Sequence, residues 1–97
     1  MAWLTVRLEN EDGEPISEKD AVVDSRLLDP LADHTLLRYI DEYGDTILNH
    51  LQMEDFIQGW KLIAPNSVEQ KKKWEKVLGM AEKCRDEVHL YLKFIGD

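Results

Sequence analysis

Both ends of this chain alternate in hydropathy. Near the start, Leu4, Val6 and Leu8 point to one side of an extended segment and Trp3, Thr5, Arg7 and Glu9 to the other. Near the end, Leu90, Leu92 and Phe94 alternate with His89, Tyr91 and Lys93. A period of two gives each segment one dry face and one wet face, as in a half-buried strand. A terminal strand as apolar as the last one is expected to pair within a sheet.

Two longer segments between them follow a helical period. Asn49 is placed to cap the first, with Gln52 at the third helical position and Leu48 positioned to pack on Met53. Met53, Phe56, Ile57, Trp60, Ile63 and Ala64 then form one apolar stripe, and Pro65 is expected to end it. Asn66 or Ser67 caps the second helix, whose stripe is Trp74, Val77, Leu78, Ala81, Cys84 and Val88. The short link at residues 65–67 makes the two helices neighbours, expected antiparallel. Gly59 and Gly79 lie inside these helices, where each costs roughly 1 kcal/mol relative to Ala, so close backbone approach is the expected reason for both.

The remaining elements are shorter. Residues 10–15 (Asn-Glu-Asp-Gly-Glu-Pro) form a turn. Ser17, with Asp20 three residues on, resembles a helix cap, so a short helix followed by a loop is expected over 16–32. Residues 36–41 and 46–48 read as two strands of a hairpin joined through Glu42, Tyr43, Gly44 and Asp45. The order β-(short α)-β-β-α-α-β predicts an α+β domain: an antiparallel or mixed sheet of about four strands packed against two amphipathic helices. With 97 residues and 43% hydrophobic content, residues 1–97 are read as a single domain.

Charge narrows the function. Residues 1–55 carry fourteen acids against four bases, and residues 56–97 six acids against eight bases, so most of the net −8 sits in the first half. Such polarity selects partners, and it disfavours nucleic acid or an anionic membrane as ligand. One cysteine, Cys84, excludes an intramolecular disulfide, and it falls on an apolar stripe as a core residue. No secretory leader or membrane span is read from the sequence, and a cytoplasmic location is expected.

Four groups of side chains are candidates for function. Asp29, Asp33 and His34 share one polar segment and could hold a ligand or a divalent metal, although their spacing matches no metal motif. Asp41, Glu42, Tyr43 and Asp45, with Glu54 and Asp55 following, could receive a basic partner around an aromatic anchor. Lys71, Lys72, Lys73 and Lys76 near the start of the second helix could form a patch for an acidic partner. Arg7, Thr5 and Trp3 with His89, Tyr91 and Lys93 would form a mixed aromatic and basic surface if the two end strands pair. His50 reads as a surface residue.

The sequence therefore predicts a small acidic cytoplasmic protein-binding module without catalysis or cofactor. Its partner would be a protein with a basic surface, in the manner of an inhibitor, antitoxin or immunity protein. The alternatives are a small metal- or metabolite-dependent enzyme using Asp29, Asp33 and His34, and a homo-oligomer assembled through the sheet edge with Tyr91 and Ile95 as contacts.

Overall fold

The structure, a computed structural model, describes residues 3–16, 20–24, 40, 44–63, 65 and 67–96. Four strands, β1 (Trp3–Glu9), β2 (Ala21–Asp24), β3 (Asp45–Asn49) and β4 (Tyr91–Ile95), form one antiparallel sheet in the order β2–β1–β4–β3. Two helices, α1 (Met53–Trp60) and α2 (Val68–Asp86), complete the α+β fold that the pattern predicts.

The alternating end segments become the two central strands. Val6 faces Phe94, Arg7 faces Lys93 and Leu8 faces Leu92. Leu4, Val6, Leu8, Leu92 and Phe94 are buried, together with Leu48 of β3 and Ala21 and Val23 of β2. Against this face lie Met53, Phe56, Ile57 and Trp60 of α1, and Val77, Met80, Ala81 and Cys84 of α2. Phe56 joins the layers: its ring stacks on Trp60 and tilts against Phe94, each at a centroid distance of 5.4 Å. Burying each of these large side chains contributes roughly 1.5–3 kcal/mol.

Capping sets where the helices begin. Asn49, the last residue of β3, accepts the Gln52 N–H on its side chain at 3.2 Å, and the Gln52 side chain accepts the Asn49 N–H at 2.9 Å. This reciprocal capping box turns the chain from strand to helix through one 3-10 turn, His50–Gln52. Ser67 caps α2 by accepting the Gln70 N–H at 3.1 Å.

In the turn after β1, the Asn10 side chain accepts the N–H groups of Asp12 and Glu14. Gly13 there takes φ +79°, a conformation that suits glycine.

Several expectations are corrected. Residues 21–24 are a strand on β1, where a short helix is read from the sequence. The period-two signal was only three residues long: Ala21 and Val23 are buried and Val22 is exposed. Of the strand expected at 36–41, only Ile40 lies among the described residues; it is buried and outside any strand. β3 pairs with β4.

Helix α1 ends at Trp60, ahead of Pro65, because its last bonds tighten: Leu62 donates to Gly59 and Ile63 to Trp60. α2 ends at Asp86, which leaves Val88 exposed and off the stripe, with Met80 in the core instead. A Cβ on Gly79 would meet nothing within 4 Å, so close approach does not explain that glycine. Tyr91 and Ile95 belong to a strand flanked on both sides, which removes them as edge contacts.

Candidate functional site

The outer face of the sheet carries a line of alternating charge across β1, β4 and β3, continued by Asp20 just before β2. Arg7 donates from Nε to Asp20 Oδ1 at 3.1 Å and from Nη2 to Oδ2 at 2.7 Å, a two-pronged contact. On its other side Arg7 Nη1 stands 3.8 Å from Glu9, and Lys93 Nζ stands 3.9 Å from the same carboxylate and 3.8 Å from Asp45. Glu9 is only 6% exposed, and its charge is held between these two cations. The Arg7 guanidinium, chiefly by its hydrogen bonds, holds the Asp20 carboxyl below its ordinary value, and Asp20 in turn raises Arg7.

The end strands do pair, as the mixed-surface reading requires, but the surface they form is not basic. Each cation on it is matched by Asp20, Glu9 or Asp45. His89 is not part of this surface: it lies in the turn before β4, where its Nδ1 meets Glu11 in a short contact.

Asp29, Asp33 and His34 lie outside the described residues, as do Asp41, Glu42 and Tyr43. Asp45 is exposed at the start of β3. Glu54 and Asp55 follow the opposite end of that strand, so they do not join Asp45 in one cluster. Lys73 and Lys76 are engaged with the fold: Lys73 Nζ lies 5.3 Å from the Trp3 ring centroid, and Lys76 Nζ donates to the Asp20 carbonyl at 3.2 Å. Lys71 and Lys72 point outward, and His50 is half-buried. Cys84 is fully buried; it donates to the Leu90 carbonyl at 3.4 Å, and burial pushes its thiol up to about 11.

The structure brings together a group that sequence order kept apart. Glu9 faces Tyr91, and Tyr91 faces Asn49, so three connections meet at this end of the sheet: the turn after β1, the 3-10 turn with the start of α1, and the link from α2 to β4. Together with the last turn of α2 they carry Glu11, Asp12, Glu14, Glu54, Asp55, Asp86 and Glu87 against Lys83 and Arg85.

Contacts tie the pieces together. His89 meets Glu11, Arg85 Nη1 lies 3.9 Å from Glu54, and the Leu90 N–H donates to the Glu87 carbonyl at 3.1 Å. Among these acids stand two apolar side chains, Leu51 at 78% and Val88 at 54% exposure. The acids of the C-terminal half thus reinforce those of the N-terminal half, which a count by halves conceals. Leu51 carried a signal in the sequence: it falls off the stripe of Met53, Phe56, Ile57 and Trp60, three residues before an acidic pair.

Among the described residues, no three or more His, Cys, Asp or Glu side chains are grouped to hold a metal ion. None of the described helices is long and apolar enough to cross a membrane. No protein-family model matches the chain, and comparisons with curated proteins and with solved structures find no match either.

Proposed function

We propose that this chain is a small cytoplasmic protein-binding module without catalysis, which captures a protein partner that presents a basic surface. The acidic end is the docking face. What supports this reading is the arrangement there: seven carboxylates from three connections and the last turn of α2 surround the exposed Leu51 and Val88, against Lys83 and Arg85. A dehydrated apolar centre with a charged rim is the anatomy of a protein interface, and the rim sets orientation and encounter rate. A regulatory, inhibitory, antitoxin or immunity role fits such a face, because blocking a basic groove requires acidic complementarity.

The test separates this end from the tip of β3. One variant carries Asp12→Asn, Glu14→Gln and Glu87→Gln; the other carries Asp41→Asn, Glu42→Gln and Asp45→Asn. Each is used as bait beside the unaltered chain at low and high salt, and the captured proteins are identified by mass spectrometry. A stoichiometric basic protein, released by salt and lost with the first variant only, is the expected result. Loss with the second variant only would move the docking face to the tip, and equal retention by both would overturn the electrostatic reading.

A further inference from the structure

Two exposed aliphatic residues in this fold are followed by charges of opposite sign at matching offsets. Leu51 has Glu54 and Asp55 three and four residues on, all exposed at the start of α1, with Arg85 Nη1 of α2 3.9 Å from Glu54. Val68, 74% exposed at the start of α2, has Lys71 and Lys72 at the same offsets, also exposed. On a helical surface, positions i, i+3 and i+4 lie side by side, so each trio forms one small patch. Glu69 beside the second patch leans toward Lys73 at 4.0 Å, and the exposed Glu75 adjoins Lys71 and Lys72 one turn on.

The patches cannot meet within one molecule. α1 leads away from the first and α2 starts at the second, so the length of α1, about 12 Å, and the turn after it lie between them.

We propose that the acidic patch of one copy docks on the lysine patch of a second copy. This inference rests on the acidic end being a docking face and names a partner for it. The contact joins unlike surfaces, so it is head-to-tail and propagates into a chain or closes into a ring. The net charge of −8 repels copies at long range, but at physiological salt that repulsion is screened beyond roughly 8 Å while contacting pairs persist.

Sedimentation velocity across a concentration series, at physiological and at molar salt, provides the readout. The average mass is expected to rise with concentration at physiological salt and to return to the 11.3 kDa of one chain at molar salt. Glu54→Lys with Asp55→Lys, or Lys71→Glu with Lys72→Glu, should each weaken association by roughly tenfold or more. An equimolar mixture of these two charge-reversed variants should recover it, because each then offers the other a complementary face. Leu51→Ser and Val68→Ser test the apolar centres without altering charge, and each should also lower the mass.

An unaltered chain that remains at the monomer mass at the highest attainable concentration would overturn the proposal. So would charge-reversed variants that associate as the unaltered chain does. A monomeric chain that still captures a basic protein through its acidic end removes this inference and leaves the proposed function standing. A self-associating chain that captures no other protein does the reverse.

Discussion

The indole N–H of Trp60 donates to the backbone carbonyl of Trp74 at 3.0 Å, and the indole N–H of Trp74 donates to the carbonyl of Trp60 at 2.9 Å. The exchange ties the last residue of α1 to the second turn of α2. It also gives two large rings partners for their only polar atoms, which allows Trp60 to be fully buried.

Trp60→Ala should therefore cost about 3–5 kcal/mol, since it removes a buried ring and one of the two bonds. Trp74→Phe keeps most of the packing and should cost about 1 kcal/mol. Urea unfolding of both variants checks this order. A larger loss at Trp74 than at Trp60 would mean that the clasp, rather than burial, dominates.

The two glycines with assigned surroundings should respond in opposite directions. Gly79 is exposed in the middle of α2 with open space around it, so Gly79→Ala should stabilise by about 0.5–1 kcal/mol. Gly13 holds φ +79°, and Gly13→Ala should destabilise by about 1 kcal/mol. Thermal melts of the two variants should fall on either side of the unaltered chain. A destabilised Gly79→Ala would mean that a neighbour does approach that position.

The Arg7–Asp20 pair predicts an acid limb in the stability profile. Because the folded chain holds the Asp20 carboxyl below its ordinary 3.8, the pair stabilises fully above that value and loses its contribution as pH falls through the lower folded value. Asp20→Asn should lower the melting temperature at neutral pH, and the deficit should shrink steadily in acid. A deficit that is constant down to the lowest accessible pH would show that the contact acts by packing rather than charge.

Glu9 lies between Arg7 and Lys93, so replacing it leaves two cations side by side. Glu9→Gln should cost about 1–3 kcal/mol, more than a typical exposed ion pair. Replacing Lys93 by Met in the same chain should recover part of that loss, because it removes one of the two facing cations and leaves Arg7 with Asp20. Additive losses in the double variant would refute the coupling.

Cys84 should be silent toward thiol reagents in the native protein, because it is buried and burial pushes its thiol up to about 11. Labelling should proceed at the rate of global opening and accelerate in Trp60→Ala. Labelling as fast as that of a free thiol would place Cys84 at the surface.

The parts of the fold legible in the sequence were those with a repeated local signal. β1, β4 and both helical stripes repeat their period over several residues, and the Asn49–Gln52 box is written in four. β2 was not legible, because three residues of alternation cannot outweigh a plausible cap at Ser17. The ends of the helices escaped for a related reason: the tightening after Trp60 and the stop at Asp86 depend on packing, not on a breaker residue. Of the candidate site, the acidic excess was visible but its place was not. Glu11, Glu54 and Asp86 are brought together by the register of β1, β4 and β3, and register is set by long-range pairing.

The central place of β4 has a consequence for how the chain comes into being. β1 and β3 share no ladder in this sheet; each is hydrogen-bonded to β4 on one of its sides. During synthesis the helices and the β1–β2 pairing can form before residue 91 emerges, but the slot between β1 and β3 stays empty. Only when residues 91–95 leave the ribosome can that slot close, and closing it buries Leu92 and Phe94 in one step. A chain in which residues 91–95 are missing or blocked would thus present two open ladders to its neighbours, which makes this one segment decide between a folded molecule and an aggregate.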